Sequence, residues 1–272
     1  MSATAPAATG APAPLRILLR AGLIETVRRR EFHVLLIFMA IYLCGIGVAA
    51  VVGVENAATA TFLLNLGLEL ALGLSLLAAV LTGARQIPDD LENRTMYPLL
   101  AKPLGRGQYL VGRVLGAWLA GVMALVPLFL LGWAPVTLLV PTAHVETTSP
   151  ALLAQMLVLQ VAALGVAAAL ATLLSLWAPK GVVVVLMLLV VLQGDTLGSM
   201  AAAHLGEGLA GSSLRWLAGL LPNFDVLRLT TAYTDGSPPL GAASFLLRVA
   251  YAAVFGCAAT VAAAATFRGR PL

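Results

Sequence analysis

Residues 85–113 read RQIPDDLENRTMYPLLAKPLGRGQYLVGR, a polar island between two oily runs. Arg85, Asp89, Asp90, Glu92, Arg94, Lys102, Arg106 and Arg113 give it eight of the chain's 16 basic and 12 acidic residues. Charge of that density between hydrophobic stretches must sit in water. The segment therefore reads as a folded loop that a membrane protein presents to something on one side.

The rest of the composition agrees. Of the 272 residues, 60% are hydrophobic and 10% charged, against about a quarter charged in soluble domains. At about 20 apolar residues per crossing, the chain supplies roughly six spans and no separate soluble domain. The fold class expected is all-α, a polytopic membrane protein with six transmembrane helices.

On the amino-terminal side, residues 1–14 (MSATAPAATGAPAP) are small, proline-rich and uncharged, the composition of a disordered tail. They lack the basic region and apolar core of a signal peptide. Residues 15–31 place Leu15, Leu18, Leu19, Leu23 and Val27 near one helical face and Arg16, Arg20, Arg28 and Arg29 largely on the other. That pattern suits an amphipathic helix lying on the membrane surface, or a positive anchor that fixes orientation. The membrane-spanning body is residues 32–272. Its apolar runs are 32–54, 60–84, 110–140, 151–177, 182 to about 197, and about 245–267. Pro127 and Pro135 predict a kink or loss of regular helix in the third. A turn at Ala178-Pro179-Lys180-Gly181 separates the fourth from the fifth. Residues 198–241 are a mixed stretch in which Trp216 reads as an interfacial anchor, and neither of its halves is long enough to span.

With six spans and a cytoplasmic amino terminus, thirteen of the 16 Lys and Arg fall inside and only Arg215, Arg228 and Arg248 outside. The positive-inside rule therefore puts both termini and the island in the cytoplasm. Within the island, Pro88-Asp89-Asp90-Leu91-Glu92 reads as a helix start, with proline in the first turn and acids at the positive end of the helix dipole. Pro98 limits that helix to two or three turns. Leu91, Thr95, Met96, Tyr97 and Leu99 give it contact groups that suit a groove on a partner protein, or the cap of the bundle's inner end.

Between the spans, RQIPDDLENRTMYPLLAKPLGRGQYLVGRVLG resembles the membrane subunit of type 2 ABC exporters. It is most similar to the branch that accompanies copper-enzyme maturation and gliding systems. Glu92, Arg94-Thr95, Lys102-Pro103 and Arg106 carry the likeness. The resemblance implies a coupling loop over 85–109 whose 88–102 helix docks on a separate ABC ATPase subunit through Asp89, Asp90, Leu91, Glu92, Arg94, Thr95, Tyr97, Lys102 and Arg106. It implies the 178–181 turn as a second contact, a second permease copy or paralogue, and a bacterial inner membrane location. It also implies that 198–241 forms outer gate helices that partly re-enter the membrane.

The sequence holds no G-x-x-x-x-G-K-[ST] phosphate loop, so ATP and its magnesium ion are expected on the partner, with no cofactor in this chain. Nothing in the composition suggests nucleic acid. His33, His144 and His204 lack metal-ligand spacing, and no triad supports catalysis. Glu69, near the middle of the second span, and Asp195, Gln155 and Gln160 are candidates for the substrate path, or for interhelical hydrogen bonds, since polar groups in a span must face a cavity or a partner. Two rival functions are an ion-coupled carrier that uses Glu69 and Asp195, and a membrane scaffold that recruits a cytoplasmic protein.

Overall fold

A computed structural model describes residues 30–52, 57–92, 106–139, 149–193 and 221–268. The tail 1–14, nearly all of the 15–31 helix, the island from Asn93 to Gly105, and Asp195 lie outside them. The elements are α1 (Arg30–Val52), α2 (Ala57–Glu92), α3 (Arg106–Leu139), α4 (Pro150–Leu174), α5 (Lys180–Gln193), a 3-10 turn (Asp225–Leu227), α6 (Thr230–Thr234) and α7 (Ala242–Arg268). Among the described residues there is no strand. Four helices, α2, α3, α4 and α7, are long and apolar enough to cross a membrane, and the apolar stretches of α1 and α5 are shorter.

Two expectations change. The helix start at Pro88 is replaced by one continuous 36-residue helix that carries Pro88 inside it. In hydrocarbon a helix is the only way for a segment to satisfy its own backbone, and a proline within it removes a single donor. Of the kink or loss of regular helix expected in the third apolar run, the loss does not occur: α3 stays helical through Pro127 and Pro135 to Leu139.

The longest helices, α2 and α3, form an antiparallel pair. Gly67 faces Gly132, Ala79 faces Gly121, Gln86 faces Gly116 and Asp90 reaches Arg113, so residue numbers climb along one helix as they fall along the other. Small residues let the backbones close up. A Cβ added at Gly132 would lie 2.7 Å from the Gly67 carbonyl oxygen, and one at Gly67 would lie 2.8 Å from that of Gly132. Tyr42 of α1 covers this crossing and donates to the Leu63 carbonyl at 2.8 Å.

α4 packs against both members of the pair. Ala168 and Thr172 meet Gly83, and Val161 accepts the indole N–H of Trp118 at 2.8 Å. Pro150 begins α4 in the first-turn position that proline favours, with Ser149 before it. A tight turn over 175–178 then leads to Pro179, whose carbonyl accepts from Val182 and Val183 as α5 begins. α6 ends in a glycine reversal: Gly236 has φ 67°, its N–H bonds Tyr233 and that of Ser237 bonds Ala232. This is the double bond of a left-handed helix cap.

Leu68, Leu72, Leu128, Met156 and Leu159 form the buried center, and many large apolar side chains, such as Ile41, Leu138 and Leu247, stay exposed on the outside. An apolar exterior is what lipid requires.

The Gly67–Gly132 crossing predicts an asymmetry. Gly132→Ala should cost about 1–3 kcal/mol from overpacking. Gly73→Ala, where a Cβ meets nothing within 4 Å, should be neutral or gain up to about 1 kcal/mol from helix propensity. Unfolding of both variants in detergent checks this, and equal losses would count against the close crossing.

Candidate functional site

Polar side chains gather at the two ends of the bundle. One end carries the feet of α2 and α3 and the 175–180 turn, and is called here the charged end. The other carries residues 221–241 and is called the capped end.

At the charged end, α2 continues past Pro88 and so brings Asp90 opposite α3. There Tyr109 and Arg113, four residues apart, share one helical face. Asp90 accepts hydrogen bonds from the Tyr109 hydroxyl and from Nη2 of Arg113. Arg113 Nε also donates to the Tyr109 oxygen at 3.2 Å, and its guanidinium carbon sits 5.3 Å from that ring's centroid. On its other side Tyr109 stacks with Phe267 of α7, centroids 6.0 Å apart. One carboxylate thus joins α2 to α3, and through a ring to α7. Neighbouring Asp89 lies 3.6 Å from Lys180 Nζ, which ties the start of α5 to the same foot.

These contacts differ in weight. The Asp90 and Arg113 side chains are 14% and 17% exposed, whereas Lys180 is 54% exposed. Removing one partner of a buried pair costs about 3–5 kcal/mol; a surface pair contributes about 0–1 kcal/mol. Behind the clamp Ile87 is fully buried, and the Gln86 amide nitrogen lies 3.3 Å from where a Gly116 Cβ would be.

Of the residues expected to dock a partner, Asp90 turns inward to Arg113 and Asp89 faces Lys180. Glu92 is exposed at the end of α2. Leu91 precedes it and Arg106 opens α3. Arg94, Thr95, Tyr97 and Lys102 lie outside the described residues. The feet of α2 and α3 are therefore fastened together immediately below the segment that carries them.

Toward the capped end two of the expected path residues, Glu69 and Gln155, have hydroxyl and backbone partners. Glu69 accepts a hydrogen bond from Thr230, the first residue of α6. Twenty-one residues of helix separate Glu69 from Asp90, about 31 Å at 1.5 Å per residue. That is about the thickness of the hydrocarbon core, and Glu69 itself lies twelve residues into the 36-residue α2. Gln155 makes two bonds to Leu240, its amide donating to the carbonyl and its oxygen accepting from the N–H, each at 2.9 Å. Gln160 is fully buried, with no hydrogen-bond partner among the described residues.

The cap is held by further bonds. Trp133 donates to the Tyr233 hydroxyl at 3.0 Å, Arg248 to the Val226 carbonyl at 2.9 Å, Arg228 to that of Val191 at 3.4 Å, and Asn223 N–H to the Tyr251 oxygen at 2.8 Å. α6 thus enters the bundle beside α2 about 18 Å along that helix from Ala57.

Sequence reading missed Tyr109, Arg113 and Lys180 as partners of the acids, and Thr230 as the partner of Glu69. The first had a signal: an aromatic and a base spaced four apart at the foot of the returning helix.

A family model described as an ABC-2 family transporter protein matches residues 17–268. No curated protein matches the chain.

The clamp predicts strong coupling. Asp90→Ala and Arg113→Ala should each lower stability by about 3 kcal/mol, and the double variant should lose much less than the sum. Lys180→Ala should cost under about 1 kcal/mol. Denaturant titrations of all four proteins test this, and additive losses at 90 and 113 would show that the two side chains act separately.

Proposed function

The chain belongs to the ABC-2 transporter family, and from that premise we propose that it is the permease subunit of an exporter powered by a separate ABC ATPase. It is a multi-pass membrane protein of a transport family. The finer reading has six spans, both termini in the cytoplasm of a bacterial cell, and the charged end facing the ATPase. The loop motif of Glu92, Arg94-Thr95, Lys102-Pro103 and Arg106 supports placing it near the copper-enzyme maturation and gliding-system branch.

The observation that carries the proposal is the clamp of Asp90, Tyr109 and Arg113. A partner that pushes on the 93–105 segment needs the two helices below it to move as one body. The clamp supplies that connection, and Lys180 beside Asp89 adds the 178–181 turn, the second expected contact, to the same block. ATP and magnesium would bind the partner chain. This chain's own part is mechanical. Displacement at the charged end travels along α2 and α3, and both helices touch α6 at the capped end, through Glu69 to Thr230 and Trp133 to Tyr233.

In this scheme the differential contact that ATP makes with two states of the partner biases two states of the permease. One has α6 seated against Glu69, and the other has it withdrawn. A second permease copy or paralogue would complete the pathway. The rival carrier reading uses Glu69 and Asp195 as proton sites; of these, Glu69 accepts a hydrogen bond from the Thr230 hydroxyl, and Asp195 lies outside the described residues.

Purification of the tagged chain in mild detergent from its native membranes, with and without non-hydrolysable ATP, tests the reading by mass spectrometry of what remains bound. The expected result is a stoichiometric ABC ATPase that is lost in the Glu92→Ala, Arg94→Ala double variant and kept in Lys180→Ala. Repeated recovery of the chain alone would overturn it.

A further inference from the structure

A cavity of about 570 Å³ opens between α3, α4 and α7; its α3 wall lies in the half of that helix nearer the charged end, and its α7 wall is centred on the helix. Its walls run from Val111 to Trp118, from Ala162 to Val166 and from Val249 to Val261. Two glycines help to create it. Gly165 lies under the Trp118 ring, whose nearest atoms are 3.5–3.8 Å from the place of a Cβ, and at Gly256 a Cβ would meet nothing within 4 Å.

The hydrogen-bond donors of this wall are already engaged. Trp118 gives its indole N–H to the Val161 carbonyl at 2.8 Å, and Thr260 gives its hydroxyl to that of Gly256 at 2.7 Å. What faces the cavity is C–H surface and the thiol of Cys257, so an occupant gains only apolar contact there.

The mouth opens outward, past Val111 (41% exposed) and Val261 (67% exposed). In a membrane protein that exterior is hydrocarbon. From Val249 to Val261 the wall rises through twelve helical steps, about 18 Å. That is somewhat more than half of a core about 30 Å thick and falls well short of a spanning helix of about 20 residues.

We propose that this cavity binds one acyl chain of a phospholipid from the leaflet at the charged end. α7 ends at Arg268, seven residues beyond Val261, so an anionic headgroup is favoured over a zwitterionic one. The lipid joins the outer face of α7 to α3 and α4. The site needs no ATPase, and its test stands apart from the exporter reading.

Cys257 lines the cavity, and Cys44, exposed on α1, is the control. In delipidated protein in detergent, N-ethylmaleimide modification of each cysteine is followed by peptide mass spectrometry. Palmitoyl-oleoyl phosphatidylglycerol or the corresponding phosphatidylcholine is then added. At phosphatidylglycerol about tenfold above its dissociation constant, Cys257 should react roughly tenfold more slowly, while Cys44 keeps its rate. Phosphatidylcholine should require a higher concentration, and equal protection by both would overturn the headgroup preference.

Gly256→Leu should fill the slot, so that phosphatidylglycerol no longer raises the thermal midpoint as it does in the parent. Ala253→Leu serves the same purpose should the first variant fail to fold. Unchanged Cys257 reactivity with lipid would overturn the site. So would efficient oxidative Cys257–Cys257 cross-linking between copies, which would assign this face to a dimer interface.

Discussion

Hydrocarbon offers a polar group no partner, so each polar side chain in a spanning bundle must find one inside the protein or at its edges. This constraint arranges the molecule. Tyr42 and Trp118 hand their donors to helix carbonyls, and Gln155 satisfies both backbone groups of Leu240. Asp90 pairs with Arg113 at the charged end, and Glu69, about 31 Å away along α2, pairs with Thr230. Between them glycine and alanine make the close contacts of α2 with α3. The polar ends connect the pair to everything else, to α5 and α7 at one end and to the cap at the other.

Much of the fold was legible because apolar run length is nearly sufficient to place a membrane helix. The six apolar runs correspond to α1 through α5 and α7, and the 178–181 turn falls where its proline and glycine put it. Reading failed at proline. In water, Pro88 followed by two acids is a helix start. At a membrane boundary the same residues continue a helix that already exists, because the preceding span fixes the backbone and one missing donor is tolerated. No local pattern separates the two cases.

The site was legible in its position and not in its wiring. Density of charge singled out 85–113, and the positive-inside count grouped it with Lys180. That Asp90 would turn inward depends on the rotation of α2 relative to α3, which the close contacts between them fix as far away as Gly67 and Gly132, about 35 Å along the helix. A sequence window around the acids cannot contain that information. Glu69 illustrates the same limit. Its partner Thr230 is 161 residues downstream, on a five-residue helix too short to leave a periodic signature.

The crossing of Gly67, Gly132 and Tyr42 has an evolutionary consequence. A Cβ at position 67 would fall 2.2 Å from the Tyr42 hydroxyl oxygen as well as against the Gly132 carbonyl. The tyrosine therefore occupies volume that the glycine leaves open, and the hydroxyl takes up the Leu63 carbonyl beside it. Drift at any one of these three positions is gated by the other two. Among descendants of this sequence they should be inherited as a block: alanine at 67 accompanied by a residue smaller than phenylalanine at 42, since the ring carbon that bears the hydroxyl is itself 2.6 Å from that Cβ, and a glycine at 132 that outlasts its neighbours. A trio on three separate helices thus behaves as one heritable character, and its joint substitution pattern would date when the two long helices first closed on each other.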